Sequence, residues 1–298
     1  MTTAFVLSGG GSLGAVQVGM MQTLADRGIV PDLLVGASAG ALNAAFIAGR
    51  GFDHETLDAL ATIWRGLRRQ HVFPFAPHHH LLALAGARSS LCAPDALCRL
   101  IDAHLPYDRL EDARIPIHVV ATDVLSGTEV LLSYGDPVPA VLASASIPAV
   151  FPAVDVGGRQ LFDGGIADNT PISQAVALGA DRVFVLPAGV ACALEVPPRS
   201  ALATAVHALT LLVEQRLASD VAAFHDRAEI VVLPPLCPLK ISSLDFRRGG
   251  HLIARARRAS HRWLDDGGAQ RAHPERFLAL HSHGVAAAPA DYHGGHAA

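Results

Sequence analysis

A chain of 298 residues, 51% hydrophobic and 17% charged, can fill a sizeable core and is too apolar to be globally disordered. Its formal charge of -4 and aromatic content of 5% argue against nucleic acid as a partner, because both a basic face and base-stacking platforms are in short supply. The four cysteines (Cys92, Cys98, Cys192 and Cys237) form no C-x-x-C, so neither a disulfide framework nor a zinc site is expected, and reduced thiols in a cytosolic protein are the simplest reading. The N-terminal "MTTAFVLSGGG" lacks a basic segment and its apolar run is too short for a signal peptide. The stretch "ALATAVHALTLLV", residues 201 to 213, is too short for a bilayer and contains His207. A soluble, cytoplasmic protein is expected, and that expectation is compatible with peripheral contact at a membrane surface.

In chain order, "TAFVLSG" reads as a buried strand running into glycines. In "GAVQVGMMQTLADRG", Val16, Met20 and Leu24 share one helical face and Gly28 stops the helix. "PDLLVG" reads as a second buried strand and "SAGALNAAFIAG" as a helix buried nearly all round. This strand-helix-strand-helix order implies a mainly parallel sheet between two helical layers, a three-layer α/β/α fold. "HETLDALATIWRGLRR" is an amphipathic helix, "FPFAPHHHLLALAGARSS" an irregular cap or loop, and "PDALCRLIDAHL" a further helix. "IPIHVVATDVLSGTEVLLS" predicts two strands joined near Ser126 and Gly127. A small-residue helix in "PVPAVLASASIP" precedes a strand in "GRQLFDGG" that ends at Asp163. Then come the helix "PISQAVALGA", the strand "DRVFVLPA", a long apolar helix over about residues 200 to 226, the strand "EIVVLPP" and a basic helix from about Asp245. One domain over residues 1 to 268 is expected, with an Ala/Gly/His-rich, loosely ordered tail over 269 to 298.

Two segments carry chemistry. "GASAG" places Ser38 between Gly36 and Gly40, strand before and helix after, the pattern of a nucleophile on a sharp turn. "LSGGGSLGA" places Gly9, Gly11 and Gly14 in G-x-G-x-x-G, which also serves as a dinucleotide-binding fingerprint. A dinucleotide site needs an acid at the end of the second strand, whereas Asp32 stands at its beginning. The same loop can instead aim its amides at an oxyanion. For the base, the 16 histidines include His207, His225 and His251 late in the chain, none with a distinctive setting. "LFDGGIADNTP" offers Asp163, followed by Gly164 and Gly165, which leave room for close approach to its carboxylate. The alternative there is an Asp-Gly turn. The basic stretch 247 to 258 reads as a solvated helix face or a contact with anionic head groups. The histidine run 78 to 80 lacks metal-ligand spacing, and no metal or cofactor is expected.

The ordered set "GGGSLG", "GASAG" and "DGG", joined by "ATDVLSG", "SASIPAVFPAV" and "DNTP", resembles the patatin-like phospholipase family over residues 4 to 190, more weakly to about 265. The resemblance implies a metal-free hydrolase of lipid acyl esters, on phospholipid or lysophospholipid. Ser38 would be the nucleophile, Asp163 the proton acceptor, and Gly9, Gly10, Gly11, Ser12 and Gly14 would form the oxyanion loop. A soluble carboxylesterase or thioesterase on the same dyad is the neighbouring reading, and a nucleotide-binding protein the distant one. The family often has arginine or lysine where this chain has Leu13. Asp123 and Asn169 lie in family-like segments and are expected to make structural hydrogen bonds.

Overall fold

Strands β1 (Thr3–Leu7), β2 (Leu33–Ala37), β7 (Arg182–Leu186) and β8 (Glu229–Val232) are short apolar runs buried on both faces, as parallel strands between helices must be. A computed structural model describes residues 1–74, 87–194, 196–270 and 278 of the protein. The histidine run at 78 to 80 and nearly all of the tail from 269 lie outside the described residues. The sheet runs β5-β6-β3-β2-β1-β7-β8, with β3 (Ile117–Asp123), β5 (Val154–Val156) and β6 (Arg159–Asp163), while β4 (Glu129–Leu132) pairs with β3. Pairings from β3 to β8 through β2, β1 and β7 are parallel, and those of β4, β5 and β6 are antiparallel.

Side chains alternate along the central strands, and each set meets its own helical layer. Phe5, Leu7, Leu34 and Phe184 face a large layer. It contains α1 (Ala15–Asp26), α2 (Ala39–Arg50), α3 (His54–Gly66), α5 (Asp95–Asp102), α6 (Pro137–Ser144) and α9 (Gly249–Asp265), with the short α4 (Arg69–Val72) at its margin. Ala4, Val6, Val35 and Val185 face α7 (Ile172–Ala177) and the last turns of α8 (Ala201–Phe224) through Leu217 and Val221. The three-layer α/β/α arrangement is therefore the one expected. The sequence reading did not anticipate α4 or the edge strand β5. The basic stretch divides into a 3-10 turn, Phe246–Arg248, and α9. Its charges are partly engaged: Arg257 pairs with Asp26, Arg247 with Asp245, and Arg255 donates to Pro238 O. No helix among the described residues is long and apolar enough to cross a membrane.

One feature of the register positions the site. β4 occupies one edge of β3 through Val119 to Thr122. On the opposite edge β2 pairs up to Ala37↔Val120, and β6, running the other way, ends at Asp163↔Ala121. Two strands thus terminate head to head on neighbouring residues of β3. The residue that ends one is Asp163, and the residue after the other is Ser38.

Candidate active site

Ser38 is the N-cap of α2 and has φ 51 and ψ -123. This positive φ is unfavourable for a residue with a side chain and is held by its surroundings. Its amide donates to Ser144 Oγ at 2.9 Å, and that hydroxyl donates to Val120 O at 2.6 Å. Its carbonyl accepts from Leu42 N at 3.2 Å. The flanking glycines permit the contact: a Cβ on Gly40 would lie 2.1 Å from Leu7 O, and one on Gly36 would lie 2.8 Å from the Ala41 backbone.

Ser38 Oγ donates to Asp163 Oδ2 at 2.7 Å. The other carboxylate oxygen, Oδ1, accepts from Gly165 N at 2.8 Å. The Asp163 backbone is fixed on both sides, its amide donating to Ser146 O at 2.9 Å and its carbonyl accepting from Thr122 Oγ1 at 2.8 Å. A Cβ on Gly164 would stand 2.1 Å from Val120 O, so the turn after Asp163 can lie directly on β3. Asp163 is 5% exposed, and burial pushes its carboxyl up to about 6, against the opposing pull of the hydrogen bonds from Ser38 and Gly165.

The glycine loop passes beside this pair. A Cβ on Gly9 would come within 3.0 Å of Ser38 Cβ and 2.5 Å of Asn169 Oδ1, and one on Gly10 within 2.4 Å of Ala188 Cβ. Gly9 N donates to Asn169 O and Ser12 N to Ser243 O, so these two amides are committed. Gly10 and Gly11 donate to no protein acceptor among the described residues. Gly14 lies at the end of the 3-10 turn Gly11–Gly14, against Ala39 and Trp64. Behind the loop runs a buried polar chain. Trp64 Nε1 donates to Asn43 Oδ1, Asn43 Nδ2 to Gly14 O and Gln17 Oε1, and Gln17 Nε2 to Ser8 O and Leu186 O.

Two cavities meet at Ser38. One encloses about 820 Å³, its open mouth included, and is lined almost entirely by apolar side chains of α2, α3, α5 and α6. The other, about 610 Å³ with its open mouth included, is bordered by Gly9 to Gly11, Asp163, Asn169 and α8.

Several other residues bear on the reading. His207, His225 and His251 line neither cavity. His104 lines the apolar one, its Nδ1 2.8 Å from Leu100 O. Asp168 is a second buried carboxyl, raised to about 7 by burial and by Asp220 and Glu129. It accepts from Thr170 N and Ser173 Oγ and borders neither cavity at Ser38. Asp123 accepts from Leu125 N, Ser126 and Arg159, a structural role that lowers it to about 2. Asn169 does more than scaffold the turn, because its side chain lies against Gly9 and Gly165 and borders the second cavity. Leu13 is fully buried and faces the core. Asp32 Oδ2 accepts from Thr3 N at the start of the sheet, away from the glycine loop. No group of three or more potential metal ligands is gathered among the described residues. Ser144, Thr122 and Asn43 escaped the sequence reading, since single polar residues in apolar runs carry no spacing that marks them.

The chain is similar to several known proteins. An uncharacterized NTE family protein of Mycobacterium tuberculosis is 32% identical over 184 residues, covering 61% of this chain and 48% of that protein. Lysophospholipase NTE1 of Saccharomyces cerevisiae is 25% identical over 192 residues, 62% of this chain and 10% of that one. The chain thus spans about half the length of the mycobacterial relative and a tenth of the yeast one. Among solved structures, VipD from Legionella pneumophila has a TM-score of 0.45 and 16% identity, covering 89% of this chain and 67% of that chain. The Patatin-like phospholipase family profile matches residues 5–176, more than half the chain, and the protein belongs to that family.

Proposed function

We propose that the protein hydrolyses carboxylic esters of lipids through a Ser38–Asp163 dyad and an acyl-enzyme. The observation that carries this reading is the 2.7 Å bond from Ser38 Oγ to a buried carboxylate at the meeting point of β2 and β6. A carboxylate with a pKa near 4 is a weak base, and burial moves Asp163 toward neutral pH while leaving it mainly ionised above pH 6. As Oγ attacks the ester carbonyl, Asp163 Oδ2 takes its proton. The oxyanion that forms is met by the Gly10 and Gly11 amides. Collapse of the tetrahedral centre expels the alcohol, which leaves with the proton from Asp163. Water then attacks the acyl-Ser38 carbonyl, giving its proton to Asp163, and the acid product departs as Ser38 is reprotonated. Every proton is carried by one carboxylate, so no histidine is required.

The lipid character of the substrate is supported by family membership and by the apolar cavity that opens at Ser38. A lipid substrate also brings the protein to a lipid surface as a peripheral visitor. The test is ester hydrolysis by purified wild type, Ser38→Ala and Asp163→Asn. Both variants should fold, Ser38→Ala should be inactive, and Asp163→Asn should lose at least about 10²-fold. A folded, fully active Ser38→Ala protein would overturn the reading. A short-chain esterase on the same dyad would show no gain from a longer acyl chain.

A further inference from the structure

The geometry points to a division of the ester between the two cavities: the acyl chain lies in the apolar cavity along α2, and the leaving alcohol, with no anionic group next to the scissile oxygen, lies in the cavity under α8. This inference rests on the Ser38–Asp163 reading and adds to it the substrate's orientation and class.

Ser38 and Gly11 border both cavities, so the carbonyl carbon and its oxygen belong to the boundary between them. Phe73 and Ile147 also border both and stand at the divide. Asp163 borders only the cavity under α8. The proton it takes from Ser38 must reach the ester oxygen that leaves, and the water that later attacks must also find Asp163. The leaving oxygen therefore lies on the Asp163 side, and the acyl carbon chain is directed to the other.

The two linings suit these occupants. The apolar cavity follows α2 from Ser38 to Phe46, eight residues or about 12 Å of helix. That length holds an extended chain of roughly ten carbons at a bond length of about 1.5 Å. Beyond Phe46 the cavity reaches His104, whose ring centroid is 6.3 Å from that of Phe46. The cavity under α8 mixes Val206, Leu209 and Val213 with Asn169, Thr210 and Ser243. Among the described residues no lysine, arginine or histidine lines it, and Asp163 is the one charged side chain. An anionic group next to the scissile oxygen would meet a carboxylate and, among the described residues, no cation.

The experiment varies one half of the ester at a time. With a fixed nitrophenol leaving group, kcat/KM should rise about fourfold per methylene up to roughly ten carbons, then level. Leu42→Trp fills the apolar cavity one turn from Ser38. Leu42 is only partly buried, so the larger ring can enter the cavity rather than the core. The optimum should move to shorter acids. Leu100→Trp, also partly buried and lining the same cavity near His104, serves if the first variant does not fold. With a fixed decanoyl group, Leu209→Trp should change the ranking of alcohols. The deacylation rate constant of this variant should be the same whichever alcohol was used, because the alcohol has already left. The decanoyl ester of glycolic acid should react roughly tenfold or more slowly than that of ethylene glycol.

Mass spectrometry of the Ser38 peptide during turnover separates the two levels of the argument. If wild type forms no acyl adduct there, the dyad reading falls and the inference with it. If the adduct forms but the chain-length optimum follows Leu209→Trp and ignores Leu42→Trp and Leu100→Trp, the orientation is reversed and only the inference falls. Equal rates for the glycolic acid and ethylene glycol esters would overturn the exclusion of anionic alcohols.

Discussion

Replacing Asp163 by asparagine should stabilise the fold while it disables the chemistry. The carboxyl is 5% exposed and is raised from 3.8 to about 6 by burial. At 1.36 kcal/mol per pH unit, holding it ionised in the folded protein costs about 3 kcal/mol. Asparagine has nearly the same shape, can still accept from Gly165 N, and carries no charge to bury. At pH 8 the variant should therefore melt about 6–12 °C above wild type, taking 2–4 °C per kcal/mol for a large domain. The folded carboxyl binds a proton more readily than the unfolded one. Wild type accordingly gains stability as pH falls from about 6 toward 4, and the difference from the variant should close over that interval. Melting followed by circular dichroism at pH 8, 6 and 4 reads both effects. In the same window the wild-type kcat/KM should rise with pH through about 6 to a plateau. A variant that melts at or below wild type at pH 8, or an advantage that persists unchanged at pH 4, would refute the claim that Asp163 is a base kept under strain by burial.

Three further outcomes follow from named contacts. Gly10→Ala drives a Cβ to 2.4 Å from Ala188 Cβ and should lower kcat by about 10²-fold by moving an oxyanion donor; adding Ala188→Gly should restore much of it, and failure of that rescue in a folded protein would remove the contact from the account. Ser144→Ala leaves the buried Ser38 amide without its acceptor, a loss of about 1–3 kcal/mol, and should lower kcat about tenfold or more with little change in KM; steady-state kinetics at wild-type kcat would contradict this. Leu13→Arg places a charge at a fully buried position and should cost several kcal/mol, so a melting temperature within about 2 °C of wild type would show that this site is not part of the core.

Much of this fold is legible in the sequence because its central strands are short apolar runs punctuated by glycine. "TAFVL", "LLVGA" and "RVFVL" can only be buried between helices, and the order of elements then imposes a parallel sheet. The chemistry-bearing turns are legible for a related reason. Gly36, Gly40 and Gly164 stand where a Cβ would strike backbone at 2.1 to 2.8 Å, so local sterics write themselves into composition. The pairing is legible only as what the family resemblance implies, and spacing alone does not give it. Asp163 and Ser38 are 125 residues apart, and only the shared edge of β3 brings them together. Spacing likewise does not give Ser144 and the Trp64–Asn43–Gln17 chain, whose partners come from different elements. The strand β5 is not legible because three residues on a sheet edge show too little alternation. The inward packing of Leu13 depends on the 3-10 turn after the glycine loop, which turns that side chain into the core.

The most direct test of the account is to quench a reaction with a decanoyl ester in the millisecond range and map the acyl group by peptide mass spectrometry. The account predicts a decanoyl adduct on Ser38 alone in wild type and no adduct in Ser38→Ala. An adduct on any other residue, or one that persists in Ser38→Ala, would contradict it.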